Sequence, residues 1–378
     1  MDFNVNEITT DAPSNMLSCI LGEDRPITVD EACDLRLLLF GNTVDTFGTE
    51  WTEQSFHFRR RPLSYGLRQK KPGPCGVLAA VQAHVLYELL FGSAAVTLDS
   101  GLLRPKAVEQ KEALARALTS ILWQAGRKKE VVIAVKWNKI VFDSSITSNI
   151  LRADGMIEYL RLKYFRSRNC VLEYFINFIS ELMNDDSGSC VLFLYSVILT
   201  HGIESIKEEM DYPESHLIGE DGYCSQEVVN LMLIGKAVPN LFDGNLELNS
   251  GGEEKSIHRG IPGQSAIGLL SLYEYQNTCT VGNHYKNPVY PIWVLLSGSH
   301  FSVLFGTSTD ILEKTSPDDS FRLLYYDGLS VQNEENSFII KPFAKQVEDS
   351  KDMTLPAVIR CIYTRWPHAS IESENIDS

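Results

Sequence analysis

The chain of 378 residues is 44% hydrophobic and 22% charged, and its formal net charge is −15. This length is enough for one large core or two modest ones, while the acidic excess argues against a nucleic-acid surface and favours a partner with a basic face. The longest apolar stretch, CVLFLYSVILT, is well short of the ~20 residues that span a bilayer, so no membrane segment is predicted.

The two ends of the chain are polar. Residues 1–25 are turn-rich and are predicted to be a disordered tail, and residues 371–378 are predicted to be an acidic tail. The N-terminus lacks the pattern of a secretory signal, so we expect an intracellular protein of the cytoplasm, with the nucleus left open. Residues 26–370 contain no Pro/Ser linker and no internal repeat, which predicts a single domain.

Helical patterns come first along this domain. The segment TVDEACDLRLLLFG has a threonine cap, an acidic first turn and a glycine stop. Residues 75–91 carry Leu78, Val81, Val85 and Leu89 on one apolar stripe at helical spacing. The same periodicity predicts helices in PKAVEQKEALARALTSILWQAG, EYFINFISELMN and SQEVVNLMLIG.

Strand patterns follow in the second half. PIWVLLS, HFSVLFG and FRLLYYD are short, rich in β-branched and aromatic residues, and bounded by turn residues. The first two are predicted to form a hairpin around Gly298. Helices followed by an antiparallel sheet indicate an α+β fold, in which a helical lobe packs against the sheet.

Cysteine 75 stands at the start of the second predicted helix, in GPCGVLAAVQ. The unpaired N–H groups and the positive dipole end of such a helix lower the pKa of a thiol and offer donors to an oxyanion. Gly76 removes a side chain beside the sulfur and is predicted to leave room for a narrow substrate. A buried structural cysteine is the alternative interpretation, and Cys224 also precedes a helix, so this pattern alone leaves the choice open.

A nucleophilic thiol requires a base and a group that orients the base. His300 opens a strand directly after the hairpin turn, where a strand end can hold an imidazole at the rim of a cleft, and His284 is the second candidate. Asp327 closes the next strand and can orient the base, while Gln69 lies six residues before Cys75 and can donate to an oxyanion. Each has a plain alternative: a surface histidine, an Asp-Gly turn or a solvated glutamine.

The other cysteines indicate no metal site. The eight cysteines are scattered, without a Cys-x-x-Cys pair or histidines at zinc-site spacing. We therefore predict free thiols and neither a metal nor an organic cofactor.

These motifs resemble a known family. GPCGVLAAVQ, followed by PIWVLLSGSHFSVLF and LYYDGL, is similar to the MINDY deubiquitinases, closest to the branch that holds the third and fourth members. Segments such as IRCIYTRWPHASI match in family order, so the resemblance covers roughly residues 30–370. It implies a variant of the papain-like cysteine protease fold. It also implies hydrolysis of isopeptide bonds after the ubiquitin C-terminus, with a preference for polyubiquitin of the proteasome-targeting linkage.

The resemblance assigns roles to the residues singled out above. It implies that Cys75 is the nucleophile, His300 the general base and acid, Gln69 the oxyanion donor and Asp327 the third member of the triad. Pro72 replaces the first of two glycines that relatives usually carry, and proline restricts the backbone before it. A catalytically inactive, ubiquitin-binding pseudoenzyme of the same fold is therefore an alternative, and a Cys-His-Asp acyltransferase is a third.

In this hypothesis acidic residues of the chain bind the tail of ubiquitin, which carries arginines before its final glycines. The acidic stretches IKEEMDYPE and IGED are candidate contacts for that tail. We predict Glu208, Glu209 and Asp211 as substrate-binding residues, and ubiquitin and polyubiquitin as the partners.

Overall fold

The computed structural model describes residues 23–99, 101–142, 150–185, 187–249, 255–314, 316, 318–343 and 352–374. Most of the predicted N-terminal tail and the last four residues lie outside this range. The described ends of both predicted tails belong to sheets, since the strands Glu23–Pro26 and Ser370–Glu374 each pair with a neighbour.

Most helical residues of the described chain lie in its first half, as predicted. Helix α1 (Val29–Phe40) begins where the Thr28 side chain accepts a hydrogen bond from the amide of Glu31 at 3.2 Å. It ends at Gly41, whose φ of +74° is left-handed. The other described helices are α2 (Thr49–Thr52), α3 (Cys75–Leu90), α4 (Ala107–Ala125), α5 (Arg168–Leu182), α6 (Ser189–His201), α7 (Ile203–Glu209), α8 (Gln226–Ile234), α9 (Leu272–Tyr275), α10 (Asn283–Lys286) and α11 (Ala357–Arg365).

Three sheets accompany these helices in the described residues. A three-stranded sheet has the order β1-β3-β2, with β1 (Glu23–Pro26), β2 (Val131–Lys136) and β3 (Leu160–Phe165). A ribbon joins β4 (Asn245–Asn249) to β5 (Lys255–Arg259). A six-stranded sheet has the order β11-β10-β9-β8-β7-β6, formed by β6 (Gly268–Ser271), β7 (Ile292–Ser297), β8 (His300–Phe305), β9 (Phe321–Tyr326), β10 (Asn336–Lys341) and β11 (Ser370–Glu374).

The central element is α3, whose residues are all buried except Tyr87 and Leu90. The helix is therefore buried on every side, not only on the apolar stripe that we predicted. It packs against helices α4 and α8 and against strands β7 and β8. This packing brings the first residue of α3 to the turn that precedes β8, where the Cys75 thiol lies 3.6 Å from the carbonyl oxygen of Ser299.

Strand β8 is buried on both faces. Phe301, Val303 and Phe305 lie in the main core with α3. Leu304, on the other face, lies in a second core with Trp366 and other residues of the sheet and α11. The side chains therefore alternate between two cores, and these cores fix the strand that starts with His300.

Two features of the sheets correct the predicted architecture. Strand β6 pairs with β7 in parallel, so the large sheet is mixed rather than antiparallel. The three-stranded sheet lies among the helices and was not predicted. It pairs segments that are distant in the chain, such as Glu23 with Tyr164, and local periodicity carries no information about such pairing. The α+β class and strands β7, β8 and β9 are confirmed.

The apolar stretch CVLFLYSVILT forms most of α6, which is largely buried. Within the described ranges no single helix has the length and apolar composition to cross a membrane; α6 and α7 meet that test only together, as a pair bent by 78°.

Among the cysteines, the free thiols are Cys33, Cys75, Cys190, Cys224, Cys279 and Cys361. Cys170 is disulfide-bonded, which corrects the prediction that every cysteine is free.

Candidate active site

Cys75 is the first residue of α3 and is buried. The preceding Gly73 has a φ of +130°, and a Cβ atom there would lie 2.8 Å from the Cγ of Glu50. Glycine is therefore required at the bend that delivers the chain to Cys75. Pro74, at the N-cap, contributes no capping side chain, and the backbone N–H groups of Gly76 and Val77 in the first turn hydrogen-bond with the sulfur of Cys224.

His300 meets Cys75 from the facing sheet. The β7–β8 hairpin turns at Gly298, whose φ is +63°, and it places the imidazole at the first position of β8. The Nε2 atom of His300 lies 2.9 Å from Oδ1 of Asp327, and the ring also forms a side-chain hydrogen bond with Cys75. Because Nε2 is engaged by Asp327, Nδ1 is the ring atom left for the sulfur. The structure thus brings Cys75, His300 and Asp327 together, as the sequence predicted.

The electrostatics of this trio favour an imidazolium at His300 and a carboxylate at Asp327. Burial of the ring lowers the pKa of His300, but hydrogen bonds with Asp327 and Cys75, together with their negative charge, raise it from 6.5 to about 10. Burial raises the pKa of Asp327, yet its contacts with His300 and two backbone N–H groups bring that pKa below its ordinary value. His300 therefore holds a proton across the neutral range.

Gln69 is buried in a narrow cavity that Cys75 and Gly328 also line. Its backbone amide donates to the carbonyl of Gly328 at 3.0 Å. Its side-chain Nε2 donates to the carbonyl of Lys71 at 2.7 Å. Gln69 thus lines the same cavity as the sulfur, and its role as an oxyanion donor stays a prediction.

The two competing candidates have other surroundings. Cys224 is buried, and this burial raises the pKa of its thiol well above the ordinary value, so the thiol stays protonated. The Nδ1 atom of His284 lies 2.9 Å from the carbonyl oxygen of Ile261 and 3.3 Å from the carboxylate of Asp243. Neither residue has the Cys-His-Asp arrangement found at Cys75.

Gly76 has a different role from the predicted one. A Cβ atom at this position would lie 2.5 Å from the sulfur of Cys224 and 2.9 Å from Cγ2 of Val229. The space beside Gly76 is therefore filled by the protein itself and does not receive substrate. Its missing side chain allows α3 to approach its neighbours closely.

We expect Gly76→Ala to lower the free energy of unfolding by about 1–3 kcal/mol, because the added methyl group overpacks this contact. Urea unfolding followed by circular dichroism measures the change. Gly263→Ala is the matched control, since a Cβ atom at Gly263 meets nothing within 4 Å. Equal stability of the two variants would show that the space beside Gly76 is open.

The predicted acidic patch also needs correction. Glu209 is buried, bonded to His201 at 2.9 Å and Lys236 at 2.7 Å, and burial does not prevent these partners from lowering its pKa to about 2. The carboxylate of Asp211 accepts hydrogen bonds from His258 and from the backbone of Arg259. Only Glu208 is exposed. The carboxylates of Glu209 and Asp211 are therefore paired with groups inside the protein.

The second acidic stretch, IGED, lies beside the candidate site instead. An open groove of about 920 Å³ includes Lys71 and Pro72 of the loop that leads to Cys75. Four acidic residues line this groove: Asp45, Glu50, Glu220 and Asp221. The wall is fixed by Trp51, whose Nε1 donates to the carbonyl of Gly222 at 2.7 Å. The sequence alone did not show that Glu50 and Trp51 belong to this wall.

In the described part of the chain, no group of three or more His, Cys, Asp or Glu side chains could hold a metal ion.

Comparison with known proteins gives one family. The family model described as "Deubiquitinating enzyme MINDY-3/4, conserved domain" matches residues 36–375. The chain is 37% identical over 369 residues to a Xenopus tropicalis protein named "Probable ubiquitin carboxyl-terminal hydrolase MINDY-4", covering 97% of this chain and 48% of the relative. The human protein of the same name is 39% identical, covering 93% of this chain and 46% of the relative.

The human protein named "Ubiquitin carboxyl-terminal hydrolase MINDY-3" is 30% identical, covering 82% of this chain and 71% of the relative. The chain thus spans about half the length of the MINDY-4 relatives that it matches. No solved structure matches it.

Proposed function

Because the chain belongs to the MINDY-3/4 family of deubiquitinating enzymes, we propose that it is a cysteine deubiquitinase that hydrolyses isopeptide bonds after the ubiquitin C-terminus. One observation carries this proposal: His300 reaches both Cys75 and, at 2.9 Å, Asp327. A thiol at a helix start facing a histidine on a sheet is also the arrangement expected of a papain-like fold, which we propose here.

The proposed reaction begins from the pair in which His300 already carries the proton of the Cys75 thiol. The sulfur then attacks the carbonyl carbon of the last ubiquitin glycine, forming a C–S bond. His300 returns the proton to the lysine amine as the C–N bond breaks. Water then hydrolyses the thioester, with His300 taking its proton, and ubiquitin leaves with a free carboxylate while the thiol is regenerated.

Two donors are available for the negative charge that develops on the carbonyl oxygen. The backbone N–H of Cys75 lies at the start of α3, which no side chain caps, and Gln69 lies in the same cavity as the sulfur. Loss of one such donor costs about 3 kcal/mol in comparable sites. Asp327 keeps the imidazole in the orientation that presents Nδ1 to the sulfur.

We propose that the acidic groove receives the ubiquitin tail. The groove adjoins the loop before Cys75, and its acidic residues complement the arginines of that tail. Glu50 packs against Gly73 and is best left intact, whereas Glu220 and Asp221 are exposed.

We expect the double variant Glu220→Gln, Asp221→Asn to weaken ubiquitin binding several-fold at low salt, and less at high salt, since rim charges act over about a Debye length. Fluorescence anisotropy of labelled ubiquitin with a Cys75→Ala background measures Kd. The control is Glu204→Gln, Asp310→Asn, which removes the same charge from exposed positions outside the groove. Equal affinities of the two double variants would remove the groove from the proposal.

The linkage preference is proposed from the family resemblance. A panel of polyubiquitin chains, one linkage in each reaction, tests it directly. We expect chains of the proteasome-targeting linkage to be cleaved fastest, and equal rates across the panel would refute the preference. We further propose an intracellular location, which fits this substrate.

A ubiquitin-binding pseudoenzyme is the second candidate, and one observation favours it. The Gln69 side chain donates to Lys71 rather than pointing wholly to the sulfur, and Pro72 stiffens the intervening loop. An electrophilic ubiquitin probe separates the candidates. Covalent labelling of Cys75 supports the enzyme, while binding without labelling supports the pseudoenzyme.

A further inference from the structure

A short hairpin connects the first helices to the candidate site. Phe58 and Leu67 form an antiparallel bridge, and the amide of Arg59 donates to the carbonyl of Gly66 at 2.7 Å. The first arm of this hairpin carries Arg59, and the second arm continues into Gln69. The hairpin therefore links Arg59 to a predicted oxyanion donor.

The guanidinium of Arg59 is directed at the loop that follows Asp327. Its Nη2 atom donates to the carbonyl of Gly328 at 2.9 Å and also to the carbonyl of Ser330. Its Nε atom donates to the hydroxyl of Tyr326 at 3.0 Å. Arg59 thus has partners immediately before and after Asp327, which a planar group with five donors can satisfy together.

One acceptor joins the two sides of the site. The carbonyl of Gly328 accepts from Arg59 and also from the amide of Gln69, at 3.0 Å. The hydroxyl of Tyr326, which accepts from Arg59, donates to the carbonyl of Leu67 at 2.7 Å. The hairpin and the Asp327 loop are therefore fastened to each other by a network in which Arg59 is the cation.

We propose that Arg59 is a positioning residue, which holds the 328–332 loop so that Asp327 meets His300 and Gln69 stays beside Cys75. Arg59 has no contact with the sulfur, and its effect is exerted through the loop. This inference rests on the proposed function for its relevance to cleavage. The geometry of the Cys-His-Asp trio can be tested without ubiquitin, because a small electrophile reacts with the sulfur of Cys75 directly.

The test compares Arg59→Ala, Arg59→Lys and the control Arg60→Ala, which removes an exposed arginine from the same segment. Two measurements are made on each protein. The first is kcat and KM for polyubiquitin cleavage. The second is the rate at which iodoacetamide alkylates Cys75 between pH 5 and 11, with the site of the adduct verified by mass spectrometry.

We expect Arg59→Ala to lower kcat by about 10- to 100-fold with little change in KM, because small misplacements of reacting groups have effects of this size. We also expect Cys75 to be alkylated more slowly near neutral pH, because the thiolate is the reacting species and the imidazolium that stabilises it loses the support of Asp327. Arg59→Lys should lie between Arg59→Ala and wild type. Arg60→Ala should match wild type in both measurements.

Identical alkylation profiles for Arg59→Ala and Arg60→Ala would overturn the proposal, whatever happens to cleavage. If the wild type cleaves no ubiquitin but its alkylation profile shifts with Arg59→Ala, the proposed function fails and the positioning role stands. Thermal melting of each variant is measured alongside. If Arg59→Ala is unfolded at the assay temperature, Arg59→Lys is compared with wild type instead. Agreement of Arg59→Lys with wild type in both kcat and the alkylation profile would then overturn the proposal.

Discussion

Cys75→Ala is expected to abolish polyubiquitin cleavage, lowering the rate by at least about 10⁴-fold, because no other group in the site can form the thioester. Binding should persist, since the acidic groove is unchanged by this substitution. Gel-based cleavage assays and anisotropy measure the two properties. Cys33→Ala is the matched control, because Cys33 is a half-buried free thiol on α1.

Retention of cleavage by Cys75→Ala would contradict the proposed mechanism and direct attention to Cys224. Loss of both cleavage and binding would instead indicate damage to the fold, which the thermal melt of the variant would reveal.

Asp327→Asn is expected to lower kcat/KM by about 10²- to 10⁴-fold, because an amide no longer fixes the orientation and charge of the imidazole. The change in the pH dependence of kcat/KM is a more specific result than the loss of rate. In the wild type the pKa of His300 is raised from 6.5 to about 10 by hydrogen bonds and charges that outweigh the lowering effect of burial. The imidazolium is present below that pKa, so activity should fall as the pH rises through about 10.

Removal of the Asp327 carboxylate destabilises the imidazolium, which lowers the pKa of His300 toward 6.5. The alkaline limb of the kcat/KM profile should therefore move to lower pH in Asp327→Asn. Stopped assays with a fluorogenic ubiquitin substrate measure this limb. An unshifted limb would show that Asp327 does not control the charge of His300.

The sequence predicted the trio because each member stands at the end of a regular element. Cys75 begins a helix after a glycine bend, His300 begins β8, and Asp327 directly follows the last residue of β9. Such positions are visible in local patterns of caps, alternation and turns. The hairpin around Gly298 then follows from two adjacent strands.

The contacts that surround the trio could not be predicted in this way. Whether an acidic side chain is free depends on neighbours that are distant in sequence, as Glu209 shows by its bond to Lys236. The same is true of Arg59. In the sequence it is one of three consecutive arginines, and its contact with the loop at Gly328 is visible only in the structure. The role of Gly76 likewise depends on the approach of Cys224.

The difference between predicted and observed sheets has the same cause. Strands β7 to β9 are consecutive, so short-range patterns were sufficient. The parallel pair of β6 and β7 and the pairing of β1 with β3 require connections that local periodicity does not describe.

We propose that Cys75, activated by His300 and Asp327, attacks the ubiquitin C-terminus. The most direct measurement is peptide mapping by mass spectrometry after incubation with ubiquitin that carries a C-terminal electrophile. We predict a single adduct of one ubiquitin on Cys75, absent when ubiquitin is unfolded beforehand. An adduct on Cys224 or another thiol, or an intact unmodified chain, would contradict it.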